Sequence, residues 1–423
     1  MHYFKNFKGF SDVKINLFNP LTVLIGPNGS GKSNLIEAVE LLSFLAQGGS
    51  LYEVTDINKD GKQEIRGGLQ ACPYLGRTNN FFLGFSAQIR FDGKKHPFYY
   101  TLKIDTKPLR IIDESLYLDK KMFFEVVPAE SNQHKLRVRY NNFARGGKKP
   151  HSDASPMQSL LSQYRTFAIR NRKRKASEEV VHGIANYLHA SFVFDPNPKL
   201  MRDYDHIGMG NQVLTKNGSN LSAVLYELYR GDKEKLNRIL NWIQQIPNEP
   251  YEDFEFITVP QLNDVIFSLR EKNTAFLNNA GILSDGTLRC LAVLTALETS
   301  SRGSRVVIEE FDNGLHPSRV GILVKAIEEC CERRDFNVLV TSHNPATLNE
   351  LGAKQLEGVV SCVYDDSEHA INLIPLTELP RYVELMERAK LGDLVTRRIL
   401  DEYLAPDFEI NRKKEVYECL RNL

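Results

Sequence analysis

An α/β fold is what this sequence predicts, and three observations predict it. Short apolar runs, Val23 to Ile25, Val306 to Ile308 and Val338 to Val340, read as buried strands. Helical spacing follows the first run from Leu35 to Leu45 and precedes the second through Leu291, Val293, Leu294 and Leu297. Between these lie a β-rich stretch at residues 81 to 143 and a stretch of helical periodicity from Met157 to Gln245. The expected architecture is therefore α/β, with an antiparallel β-subdomain and a helical lobe inserted into it.

Each element has a local reason. Asp12 to Leu17 alternates polar and apolar residues, as a half-buried strand does, and turns through Asn19-Pro20 into the first buried run. Gly48-Gly49 stops the helix that follows. From Tyr52 to Gly76 the pattern is broken and polar, so an irregular segment or lid is expected. Phe82–Phe91 and Phe98–Ile104 flank Asp92-Gly93, the signature of a hairpin, and Leu116–Leu118, Met122–Phe124 and Leu136–Tyr140 extend it into a meander. Leu221, Val224, Leu225 and Leu228 share one helix face, and Ile239, Leu240, Trp242 and Ile243 another. Strands return at Phe254–Thr258 and Val265–Leu269, and Tyr364 to Ser367 reads as a turn between two strands. These shifts suggest segments at 1–150, 151–250, 251–375 and 376–423.

Composition excludes some classes. Of 423 residues, 42% are hydrophobic, and 54 lysines and arginines balance 53 acids, so no global charge points to nucleic acid or membrane. Cys72, Cys290, Cys330, Cys331, Cys362 and Cys419 are scattered without CxxC spacing and read as buried thiols of a reducing cytoplasm. No apolar run is long enough for a bilayer, and Met1 to Lys5 has no signal core.

Chemistry concentrates at the ends of the buried runs. Val23–Ile25 runs into Gly26-x-x-x-x-Gly31-Lys32-Ser33, a phosphate loop between strand and helix. Its glycines let backbone N–H groups of Asn28, Gly29, Ser30, Gly31 and the helix start at Asn34 converge on a polyphosphate. Lys32 would reach the β- and γ-phosphates and the Ser33 hydroxyl would sit on Mg²⁺, so the ligands are ATP and Mg²⁺. Val306–Ile308 ends in Glu309-Glu310, the first assigned to the metal and the second to the attacking water. Val338–Val340 leads to His343, placed to donate to a γ-phosphate. Ser284 opens a helix and reads either as an ordinary N-cap or, with Gly286 in the first turn, as a second phosphate-facing helix start. The run Arg170 to Lys175 reads as a solvated face or as a contact with DNA or RNA backbone.

GPNGSGKSN at 26–34, LSDGT at 283–287, EE followed by NGLHP at 309–317 and TSHNP at 341–345 together resemble ABC-type ATPases. The likeness is greatest to the SMC and RecF branch, and within it to bacterial ATPases of OLD-like and Septu-like anti-phage defence systems. It implies a P-loop NTPase of ABC type, with the β-subdomain and helical lobe inserted between the phosphate loop and LSDGT. It further implies a homodimer closed as a head-to-tail ATP sandwich, in which Ser284 and Gly286 touch the γ-phosphate on the other subunit and Asn313 to His316 cross between sites. Two residues depart from the family pattern. Glu309 stands where an aspartate is usual and Phe311 where proline is common; the lid glutamine has no motif, and Gln163 is its candidate.

A transporter subunit needs no insertion of about 250 residues, an SMC arm needs sustained heptads, and the stretch after Thr347 is short for a fused nuclease. The leading expectation is an ATPase that switches a separately encoded effector, against a RecF-like DNA-repair ATPase or a sensor that binds ATP with little turnover.

Overall fold

The computed structural model describes residues 1–408 apart from Phe18, 58–62, Ala190, 209–212, Asn273, Ala275, Arg302 and Pro406; Cys419 lies outside the described residues. Two compact units divide the chain. Unit 1 comprises Met1–Phe18, Gly29–Ser191 and Tyr364–Leu373, and unit 2 comprises Asn19–Asn28, Phe192–Val363 and Ile374–Leu423. They interleave along the chain, unlike the four consecutive segments expected from sequence.

Elements used below are β1 (His2–Phe7), β2 (Phe10–Ile15), β3 (Leu21–Ile25), α1 (Lys32–Ala46), α2 (Leu160–Phe167), α3 (Arg174–His189), α4 (Leu221–Gly231), α5 (Lys233–Ile243), α6 (Asp285–Thr299) and α7 (Pro317–Arg334). The expected helical lobe is not one body. Helix α3 packs on α1 and α2 on α3 in unit 1, whereas α4 and α5 pack on α6 in unit 2, because each amphipathic helix buries its stripe against a different partner.

Unit 1 is built on an eight-stranded sheet in the order His151–Ala154, Leu136–Tyr140, Lys121–Val126, Leu109–Leu118, Lys94–Thr106, Asn80–Phe91, β1, β2. The hairpin at its centre closes where expected, Phe91 opposite Lys94, with Asp92 (φ 48°) and Gly93 (φ 73°) both left-handed as its two-residue turn demands. One face buries Tyr100, Leu102, Ile104, Leu116, Phe124 and Val138. A carboxylate is buried with them. Glu114 accepts the N–H of Leu160 at 2.8 Å and the Tyr100 hydroxyl at 2.9 Å, and so caps the start of α2 beside Ser159. Burial pushes its pKa up to about 8.

Unit 2 has a parallel core in the order Arg305–Ile308, Asn337–Thr341, β3, Val359–Asp365. Their central residues are mostly apolar and buried, as in a parallel sheet covered on both faces. Val23, Ile25, Val306, Ile308, Val338 and Val340 merge into one core with α6, which is buried on nearly every side. The strands Tyr251–Val259 and Asp264–Glu271 pair antiparallel beside α4. The five described cysteines are buried and free. Among the described residues no helix is long and apolar enough to cross a membrane.

Candidate active site

Three parallel strands of unit 2 end along one edge. Val340 lies opposite both Val23 and Ile308, and Thr341 lies opposite Leu24. The chain therefore leaves β3 into Gly26-Pro27-Asn28, leaves the next strands into Glu309-Glu310 and Ser342-His343, and does so at the carboxyl edge, where open α/β sheets bind ligands. Residues read separately in the sequence are thus gathered by register alone.

The carboxylates sit differently. Glu309 is half-buried and its N–H donates to the carbonyl of Phe194 at 3.2 Å. Glu310 is exposed and held left-handed at φ 44°, a conformation that costs a non-glycine residue about 1 kcal/mol. Three contacts hold it there. Its N–H donates to Thr341 Oγ1 at 2.8 Å, its carbonyl accepts from the Asn313 N–H at 2.8 Å, and its carboxylate accepts from Asn313 Nδ2 at 3.2 Å. Alongside, Ser342 Oγ donates to the buried Asp312 at 2.6 Å, and the Ser342 N–H donates to Leu24 O at 3.1 Å. His343 is exposed directly after this anchored serine. Sequence reading missed Asp312 and Thr341, whose signal was only their position one or two residues from the functional groups.

Unit 1 carries the remainder of the loop. Gly29 (φ 83°) and Gly31 (φ 100°) are left-handed, and Gly31 is the N-cap of α1 with no side chain capping that helix. A Cβ on Gly31 would stand 2.4 Å from Ile371 Cδ1, so the position takes glycine for space as well as for φ. Ser30 is buried, and its Oγ has no hydrogen-bond partner. An uncapped helix start beside an orphaned hydroxyl fits a polyphosphate, which supplies the missing acceptors. Lys32, Ser33 and Asn34 follow, each half-buried. Asn34 Oδ1 accepts from Arg66 Nη2 at 3.4 Å, and Glu37 one turn on pairs with Arg66 at 2.6 Å and with Lys8. The segment Tyr52 to Gly76 is therefore fastened to α1 through Arg66, a residue the sequence reading passed over.

A serine hydroxyl (Ser33, in unit 1) and a carboxylate (Glu309, in unit 2) are each hard oxygen donors of the kind Mg²⁺ takes. Among the described residues no group of three or more His, Cys, Asp or Glu could hold an ion unaided.

Ser284 is the N-cap of α6, its Oγ accepting the Thr287 N–H at 3.1 Å. It is exposed, and it belongs to a network that runs inward. Ser284 Oγ lies 2.7 Å from Thr287 Oγ1, which donates to Glu249 at 2.5 Å, and buried Glu249 pairs with Arg319 of α7 at 2.6 Å. Gly286 has a packing reason too: a Cβ there would lie 3.1 Å from Arg319 Nη1. Both bland explanations of this helix start are thus present, and neither occupies the exposed side of Ser284. Gln163 is spent on the turn before α2, bonding Ser155 N, Ser155 O and Gln158 O. Arg170 to Lys175 leads into α3 and is exposed except for Asn171.

The family profile and one curated relative bear on the nucleotide-binding reading. A profile of the family described as "AAA domain, putative AbiEii toxin, Type IV TA system" matches residues 21–349. The curated protein "ATP/GTP phosphatase" of Helicobacter pylori is 25% identical over 358 residues, 80% of this chain and 84% of that one. "DNA replication and repair protein RecF" of Acaryochloris marina is 43% identical over only 56 residues, 13% of this chain and 15% of RecF. Among solved structures, an Smc head domain with an extended coiled coil bound to the C-terminal domain of ScpA, derived from Pyrococcus furiosus, is similar at 12% identity. It covers 92% of this chain and 98% of that one with a TM-score of 0.45. The family profile spans more than half of the chain, from β3 through the carboxylates to the segment after His343, and the chain belongs to that family of AAA-domain P-loop ATPases.

Proposed function

We propose that this chain binds and hydrolyses ATP as a homodimeric, cytoplasmic switch for a separately encoded effector in anti-phage defence, within the OLD-like and Septu-like branch. The observation that carries the ATPase reading is the shared carboxyl edge of unit 2, where the strand feeding the phosphate loop, Glu309-Glu310 and His343 end together. The relative named "ATP/GTP phosphatase" supports turnover, and the toxin wording of the family description supports an effector.

Each residue then has a role. The loop from Asn28 to Asn34 holds the phosphates by backbone N–H groups, and Lys32 neutralises their outer charge. Ser33 and Glu309 would hold Mg²⁺, which when bound withdraws charge from the phosphate oxygens. Glu310 orients and deprotonates the attacking water, and His343 donates to the γ-phosphate. Ser284 and Gly286 complete the site of the partner subunit, so ATP closes two heads and hydrolysis releases them.

Phosphate release tests this. Glu310→Gln is expected to lower turnover by roughly 100-fold or more while keeping nucleotide bound, and Lys32→Ala to abolish binding. Turnover left intact in Glu310→Gln contradicts the assignment. The second reading, a RecF-like repair ATPase, is favoured by the short RecF match and by the basic run. An ATPase partnered genetically and physically with replication-fork proteins instead of an adjacent nuclease or toxin would select it.

A further inference from the structure

Charge is segregated in unit 1. Residues 131–177 hold 12 lysines and arginines and a single acid, Asp153, a net +11 in a chain whose total is +1. The strand residues among them are neutralised locally. Lys135 and Arg137 pair with Asp153 at 2.9 Å, and Arg139 pairs with Glu125. Cations of two loops are not. Arg145 and Lys148 follow the strand Leu136–Tyr140, whereas Arg170, Arg172 and Lys173 lead into α3 and Lys175 lies in its first turn; all six are exposed and have no carboxylate partner among the described residues.

Folding joins the two loops. The Arg172 N–H donates to the carbonyl of Asn142 at 3.1 Å. Each loop is pinned from beneath by a buried asparagine. Asn141 accepts the Phe143 N–H and Lys149 Nζ, both at 2.8 Å, and donates to Met122 O at 2.9 Å. Asn171 accepts the Lys173 N–H at 2.8 Å and donates to Tyr164 and Ser177 at 3.0 and 2.6 Å. Arg174, paired with Glu178 at 2.6 Å, and the unpaired Lys175 open α3, whose first turn holds no acid, against the sense of the helix dipole. Stability alone selects against gathering these unpaired cations, since like charges brought together raise the free energy of the fold.

We infer that these two loops form one docking surface for the phosphate backbone of duplex nucleic acid. A protein partner would need apolar anchors. The surface offers Ile169 at 65% exposure, while the Phe143 ring is engaged edge-on with Phe123. A single strand would need exposed rings for its bases, and the loops present none. Lysine and arginine on ordered loops are what backbone contact requires, without base readout. The surface is independent of the nucleotide site, so it stands or falls apart from the ATPase assignment.

Fluorescence polarisation of a labelled 20-base-pair duplex against the full chain, from 50 to 200 mM salt, tests it. Six contacts at most give a log–log salt slope of about −5 or shallower. Arg145→Gln/Lys148→Gln and Arg172→Gln/Lys173→Gln, on different loops, are each expected to flatten the slope by about 2, with melting temperature and ATP turnover unchanged. A slope unmoved by either pair, or moved by only one, overturns the joint surface. Tighter binding of the corresponding single strand, or equal binding of poly-glutamate at the same salt, overturns the duplex assignment.

Discussion

Gly31 shows how much one position in this loop carries. Its φ of 100° and the 2.4 Å approach of Ile371 Cδ1 oppose any side chain. Gly31→Ala is expected to cost about 2 kcal/mol or more and to lower ATP affinity. Adding Ile371→Ala relieves the clash but not the φ, so denaturant titration of the pair should recover only part of the loss. Thr341 makes a different case. Its Oγ1 holds Glu310 in a left-handed conformation, so Thr341→Val is predicted to lower kcat with little change in nucleotide affinity. As candidates, Lys32, Ser33, Glu309, Glu310 and His343 were legible because each follows an apolar run as a group with its own chemistry. Thr341, Asp312, Arg66 and Arg319 were not, because their partners lie about thirty or more residues away and only the fold brings them together.

At the scale of elements, two buried carboxyl groups fix helix positions and give measurable consequences. Glu114 caps α2 from the neighbouring sheet with a pKa raised to about 8 from 4.5, because burial disfavours its charge. The folded state thus keeps a proton that the unfolded chain releases. Its stabilising contribution is full below about 4.5 and is lost as pH rises through about 8. Unfolding free energies measured from pH 5 to 8 should fall with a slope approaching about 1.4 kcal/mol per pH unit, and Glu114→Gln should remove that component. The Glu249–Arg319 pair ties the start of α6 to the first turn of α7. Arg319→Met leaves a buried carboxylate unpaired and is expected to cost about 3 kcal/mol or more, while Arg319→Met/Glu249→Met should cost less than that single change. Local signals made the hairpin at Asp92-Gly93 and the phosphate-loop helix legible. The helical stretch 151–250 misled because periodicity tells that a stripe is buried and not what buries it; α3 found α1, and α5 found α6.

The chain passes between its two units five times, and the phosphate loop spans one of the crossings. Sequence distance is therefore a poor guide to unit membership, and the consecutive segments expected from composition shifts could not have revealed it. In the proposed mechanism, function on this scale rests on a second copy. Ser284 is exposed at the start of α6 and supported from beneath by Thr287, Glu249 and Arg319. That is the arrangement expected of a group presented outward to a partner's nucleotide. Mixing two inactive variants, Lys32→Ala and Ser284→Arg, in equal amounts measures this most directly. Half of randomly paired dimers would be mixed, each with one intact composite site of two, so ATP turnover should return to about a quarter of wild type. Turnover that stays at the level of the separate variants, under conditions where mixed dimers form, would contradict a site shared between subunits.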